Sequence, residues 1–185
     1  MRDVIEIETK RLKLRRLRMS DAQRIAQLCG DPSVARMISH APLPYLPVAA
    51  EGWLMTLAAR APLGEEFVYA LDLEGEGMIG TIGAHKLRQG GCEIGYWVGR
   101  PYWGRGFATE ALQSFVAEAK ALGQLVAGHF ADNPASGRVL QKSGFAYTGE
   151  TTPHFSMARG ESAPCKRMRY AADEGERGFG LHEAA

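Results

Sequence analysis

The chain has 185 residues, 45% of them hydrophobic and 23% charged, which suits one domain that can bury a core without covalent staples. Its 22 Lys and Arg against 21 Asp and Glu leave a formal charge of +1, so nothing in the balance calls for nucleic acid or an anionic membrane as partner. Three widely spaced cysteines, Cys29, Cys92 and Cys165, match no metal-ligand spacing, and no apolar run is long enough for a bilayer or placed as a signal region. The expectation is a soluble, cytoplasmic protein with buried thiols in a reducing compartment and no metal.

Residues 5–17 read as a first strand of imperfect alternation, in which Leu12, Leu14 and Leu17 interleave with basic residues. Those charges fit a solvated strand face better than a nucleic-acid patch. Ser20 and Gln23 resemble a capping box before a helix striped by Ile25, Leu28 and Cys29 and closed by Gly30. A short helical piece follows over 32–39, then a three-proline loop over 40–47. A further helix is expected over 48–60, with Trp53, Leu54 and Leu57 on one side.

Three strands over 67–73, 77–87 and 92–99 are separated by EGEG and RQGG, which makes an antiparallel meander. The stretch 107–122 has apolar residues at helical spacing (Ala108, Ala111, Leu112, Phe115, Val116, Ala119, Leu122), and Gly123 stands where a helix ends. A buried strand over 125–130, a short helix ended by Gly144, and strands near 145–148 and 165–171 complete one domain over 1–172. From Asp173 the tail turns polar and glycine-rich, the composition of a mobile terminus.

The start of the long helix poses a chemical question. Gly104, Arg105 and Gly106 precede it, and none offers a capping oxygen for its free N–H groups. Two accounts fit. One is a plain tight turn, with Gly as N-cap and Glu110 matching the helix dipole. The other is an anion cradle, in which glycines let the backbone approach a phosphate and Arg105 adds charge. The P-loop pattern is absent, and the dinucleotide fingerprint fails at Thr109. No G-x-S-x-G, H-E-x-x-H or C-x-x-C is present.

The segment EIGYWVGRPYWGRGFATEAL, followed by ADNPASGRVLQKSGF, resembles the GNAT acetyltransferase superfamily. The resemblance covers roughly 7–170 and is nearest the branch of ribosomal-protein (Ser/Ala) N-terminal acetyltransferases, to which TKRLKLRRL and PCKRMRY are also similar. It implies an α/β (α+β) fold: a mixed, mainly antiparallel sheet of about six or seven strands flanked by about four helices, with the fourth and fifth strands splayed apart. It implies acetyl-CoA as co-substrate. The matching cradle residues are Trp103, Gly104, Arg105, Gly106, Phe107, Ala108 and Thr109, with Trp103 where the family often has Gln or Arg. Backbone at Trp97, Val98 and Gly99 is expected to hold the pantetheine and thioester. Asn133 matches a residue that meets the pantetheine arm, and Ser136 one near the sulfur, in a position where many relatives use Tyr as acid.

The chemistry needs a neutral amine, and an α-amine titrates near ~8 while a lysine does so near ~10.4, so a base helps. Glu93 is the candidate base, sharing a strand face with Gly95 and Trp97; the alternative is a strand-end charge in water. His129 reads as a packed core histidine, and His40, His85 and His154 have no motif support. Cys92 has no histidine at a nucleophile's spacing. The acceptor side, 35–47 and 151–165, is Pro-rich and aromatic without an acidic cluster, which favours a protein N-terminus or small neutral amine over a polycation. The protein is expected to be a monomer or homodimer. Against an active N-acetyltransferase stands a catalytically silent acyl-CoA-binding sensor or interaction module.

Overall fold

In the computed structural model, which describes residues 6–171, one sheet of eight strands carries the whole architecture. The strands are β1 (Glu6–Glu8), β2 (Leu12–Arg16), β3 (Glu66–Leu73), β4 (Gly77–Lys86), β5 (Cys92–Val98), β6 (Leu125–Phe130), β7 (Phe145–Ser156) and β8 (Glu161–Tyr170). Their order across the sheet is β1-β2-β3-β4-β5-β6-β8-β7, and every neighbouring pair is antiparallel except β5 and β6. A parallel neighbour needs a crossover, and α4 (Phe107–Ala119) supplies it. The other helices are α1 (Ala22–Cys29), α2 (Pro32–Ala35), α3 (Pro47–Arg60) and α5 (Pro134–Lys142). The expected tail from Asp173 lies outside the described residues.

The sheet exceeds the expected strand count because the stretch over 5–17 is a hairpin, not one strand. Thr9 makes the turn: its N–H and its hydroxyl both donate to the Leu12 carbonyl, at 2.9 Å each. The imperfect alternation marks that turn. The expected capping box at Ser20 and Gln23 does not form either. A 3-10 turn over Met19–Asp21 runs straight into α1, and Asp21 accepts from Arg15 at 2.9 and 3.0 Å and from the Arg18 N–H at 2.8 Å. Burial pushes the Asp21 carboxyl up, but these donors outweigh it and hold the group below the usual range.

Two cores flank the sheet. One lies under α4, where Leu112, Phe115 and Ala119 are fully buried against Ile82, Ile94 and Leu125. Each large side chain there contributes about 1.5–3 kcal/mol of transfer free energy. The other packs α1 and α3 on the opposite face, with Ile25, Ala50 and Leu54 over Ala70 and Met78. Trp97 borders both. The sheet is therefore a partition with a separate helical layer on each side.

The partition is split at its middle. The β5–β6 pairing runs from Cys92↔Leu125 to Ile94↔Ala127 and stops, although β5 continues to Val98 and β6 to Phe130. Beyond Ile94 the two strands diverge, as expected for the fourth and fifth strands of the sequence count.

Candidate active site

The split is where backbone donors become free. The β4–β5 ladder is bracketed by Leu87 N–H to Gly91 O at 3.0 Å and Gly99 N–H to Ile79 O at 2.8 Å. Antiparallel alternation then turns the backbone of Glu93, Gly95 and Trp97 towards β4. Cys92 N–H donates to Gln124 O at 2.8 Å, so Cys92, Ile94, Tyr96 and Val98 face β6. Past the end of pairing, the N–H groups of Tyr96 and Val98 point into the gap. This corrects the expected backbone set: Val98 borders the gap, whereas the main chain of Trp97 and Gly99 is committed to β4. Trp97 and Tyr96 both line the cavity.

The bare start of α4 lies beside that gap. Gly106 is its N-cap, at φ +81°, with no side-chain cap; Gly104 has φ +73°. The first helical bond is Glu110 N–H to Gly106 O, so the N–H groups of Phe107, Ala108 and Thr109 have no intrahelical acceptor. Both glycines sit in the left-handed region that side chains disfavour. Phe107 is buried and anchors the turn, with Arg11 and Arg105 stacked on its ring at 4.4 and 4.8 Å. Arg11 also donates to the Arg105 carbonyl at 3.0 Å and pairs with Glu110 at 2.7 Å. Glu110 is thus a brace to the β1–β2 turn as well as a dipole partner. Trp103 is 47% exposed and donates from Nε1 to Val98 O at 2.6 Å, joining the turn to the end of β5.

Across the gap stands the start of α5. Asn133 is its N-cap, accepting from Ser136 N–H at 3.2 Å, which leaves its amide NH₂ to meet a ligand. Ser136 Oγ lies 2.8 Å from Tyr96 Oη, and Tyr96 also donates to the Ser136 carbonyl at 3.1 Å. With the phenol's one proton on that carbonyl, the serine hydroxyl donates to the phenol. Burial pushes the Tyr96 phenol up to about 12, against a small opposing pull from Ser136. It is a neutral hydrogen-bond donor at any physiological pH. Tyr96 was not singled out by sequence, because its partner is forty positions away.

Glu93 is held in a charged cluster on the other face. Arg167 bonds it at 2.7 Å and His85 Nε2 lies 3.5 Å away. Burial pushes the carboxyl up, but His85 and Arg167 outweigh it and hold it down at about 2. A carboxylate bonded to Arg167 and held that low is a weak acceptor for an ammonium proton. The hydrogen bond to Glu93 raises His85 above 6.5 instead, against the downward push of burial. His129 is the core histidine that was expected: Nδ1 donates to Phe130 O at 2.8 Å, and Nε2 lies 2.9 Å from Tyr147 Oη. Cys92 is fully buried, and burial raises its thiol.

These parts share one cavity of about 910 Å³ that passes from the α4 start through the split to the α1–α3 side. Gly104, Gly106, Asn133, Ser136, Tyr96, Glu93 and His85 all line it. The split of the mixed sheet and the uncapped start of its crossover helix thus open onto one continuous site. The chain belongs to the acetyltransferase (GNAT) domain family, whose model matches residues 11–146. It is 32% identical over 149 residues to the uncharacterized N-acetyltransferase YoaA of Bacillus subtilis (strain 168), covering 77% of this chain and 84% of that one. It is also 32% identical over 111 residues to the uncharacterized N-acetyltransferase p20 of Bacillus licheniformis, covering 58% of this chain; the match spans 62% of p20's own length. Among solved structures, RimL, a ribosomal L7/L12 alpha-N-protein acetyltransferase in complex with coenzyme A, superposes with a TM-score of 0.78 at 17% identity, over 91% of this chain and 98% of that one.

Proposed function

We propose that this chain moves an acetyl group from acetyl-CoA to a primary amine by direct attack, with both substrates bound at once. The observation that carries the reading is the uncapped start of α4 opening onto the β5–β6 split. The free N–H groups of Phe107, Ala108 and Thr109, with Arg105, suit a diphosphate. Asn133 and the edge of β5 at Val98 suit the pantetheine arm. An N–H of Tyr96 or Val98, aimed into the gap, suits the carbonyl oxygen as charge builds on it.

Proton traffic follows from the side chains. The amine attacks the carbonyl carbon, the C–S bond breaks, and the sulfur leaves as a thiolate of pKa near ~8.5, which needs little help. The Tyr96–Ser136 hydroxyls turn to donate a hydrogen bond to it as it leaves, and water supplies its proton. The proton lost by the amine goes to the neutral His85 imidazole, with Glu93 as the residue that positions the ring and stabilises the imidazolium that forms. No covalent enzyme intermediate is required, and most of the rate comes from holding the reactants together.

The reading is tested by following free thiol from acetyl-CoA and the intact mass of the acceptor over a panel of N-terminal peptides, lysine peptides and small amines. Mass gain of one acetyl group matched by thiol release is the expected result. Saturable coenzyme A binding with no thiol release from any amine would overturn it in favour of a silent acyl-CoA-binding module. The Tyr96–Ser136 pair at the gap favours turnover over that second reading, since plain binding has no use for a hydrogen-bond donor there.

A further inference from the structure

The α1–α3 side of the cavity has a shape of its own. Strand pairing sets three rows across its floor: Glu66, His85 and Glu93; then Val68, Gly83 and Gly95; then Ala70, Thr81 and Trp97. Gly83 lacks a side chain for a local reason, since a Cβ there would meet Phe67 O at 2.8 Å. Gly95 has no such reason. Its φ is not positive, and a Cβ would meet nothing within 4 Å. A glycine inside a strand weakens it, and one without a steric cause marks a place kept clear for something else. Independently, Thr81 is only 4% exposed, lines the cavity, and its hydroxyl has no hydrogen-bond partner among the described residues. No buried side-chain oxygen or nitrogen among the described residues lacks a partner, so the Thr81 hydroxyl is one that opens onto the cavity, free to donate to what binds there.

The surroundings specify the ligand. Tyr45, Trp53 and Leu57 close the trough with apolar surface. Its carboxylates are already paired, Glu66 with Arg60 at 3.3 Å and Glu93 with Arg167 at 2.7 Å, so they have little to offer a polycation. We infer that the trough binds an α-amine with a bulky apolar side chain, of the amino-acid-amide or N-terminal-residue type. Its side chain lies against Trp53 and Leu57, its carbonyl accepts from Thr81, and its amine passes over Gly95 to the split. The direction of the amine rests on the proposed acetyl transfer; the trough and its chemistry do not.

The test uses the full chain saturated with coenzyme A and titrates in L-phenylalaninamide, glycinamide and spermidine by calorimetry. Phenylalaninamide is expected to bind at least tenfold tighter than either other probe. Thr81→Val, nearly isosteric, is expected to weaken it about fivefold, and Gly95→Leu at least tenfold, with the coenzyme A affinity of both variants within twofold of wild type; Gly95→Ala, the gentler filling, falls between. Equal or tighter binding of glycinamide or spermidine, no binding of any probe, or unchanged phenylalaninamide binding in both Thr81→Val and Gly95→Leu overturns the inference. Phenylalaninamide binding without thiol release from acetyl-CoA would instead end the acetyl-transfer reading and leave the trough standing.

Discussion

Among single residues, the division of labour between His85 and Glu93 makes the sharpest prediction. Glu93 is ionised down to about 2, so it is a permanent negative charge beside His85 at any working pH. That charge raises His85, and the acidic limb of kcat/KM, where the base is lost to protonation, should therefore have its midpoint above 6.5. Glu93→Gln is expected to move that limb downward, while His85→Gln removes it and lowers kcat by about a hundredfold, the usual scale for a lost general base. Stability follows the same pair with opposite signs. The depressed carboxyl stabilises the fold above its unfolded value of 4.5 and loses that contribution as pH falls towards about 2. The raised imidazole stabilises below 6.5 and loses its contribution as pH climbs through its folded value. Thermal melts of wild type against Glu93→Gln should then differ most between pH 4.5 and 6.5. On the sulfur side, Tyr96→Phe should cut kcat by about ten- to a hundredfold with coenzyme A affinity nearly unchanged, because a thiolate leaves readily even without an acid.

At the level of elements, the turn into α4 is the part that local sequence states most fully. Two glycines with no capping side chain are a signal carried within a few positions, and the structure keeps both at positive φ. Forcing Val into Gly106, at φ +81°, costs about 1–2 kcal/mol of backbone strain and reshapes the cradle. Gly106→Val is therefore expected to weaken coenzyme A binding by about tenfold or more in a folded protein, read by calorimetry. The meander β3–β5 and α4 were legible for the same reason: hydrophobic period and turn residues are local, whereas the split between β5 and β6 was implied only by the family resemblance. The rest was not. The Thr9 turn that makes two strands of one carries no Gly, Pro, Asn or Asp, the residues that usually punctuate a chain. The Ser20 box does not form because Asp21 stands at the start of α1, its carboxylate held by Arg15 and the Arg18 N–H. Glu93 reads as a base until Arg167, seventy-four positions on, is folded against it. Tyr96 and Ser136 meet only because β5 and α5 border the same gap. What a residue touches across the sheet is set by topology, and single-sequence patterning does not carry it.

For the whole molecule, the split sheet separates two surfaces, with the uncapped start of α4 and the Asn133-capped start of α5 on one and the apolar trough on the other. The trough is closed by a contact between distant parts of the chain. The turn between β7 and β8 docks on the segment after α2, through Met157 N–H to Ser39 O at 2.9 Å and Ser156 Oγ to Ile38 O at 3.1 Å. Arg159 fastens it: Nε donates to Arg36 O at 2.8 Å, the guanidinium pairs with Asp132 at 2.9 Å, and it lies 4.7 Å over the Phe130 ring. Asp132 takes Arg36 as well, at 2.9 Å, so one carboxylate ties the end of β6, the β7–β8 turn and the segment after α2 together. Its neighbouring cations, Arg159 first, hold the Asp132 carboxyl below the usual range. An exposed pair of this kind contributes little alone, but here one guanidinium makes three kinds of contact. Arg159→Ala should lower the melting temperature by about 2–4 °C, the shift expected for roughly 1 kcal/mol in a domain of this size. Its larger effect should fall on the acceptor. With the fastening gone, the trough opens and the acceptor KM rises several-fold, whereas kcat and coenzyme A affinity stay within twofold because α4, α5 and the split are not touched. A variant whose coenzyme A affinity fell in step with its acceptor KM would mean that the two faces of the partition are not independent.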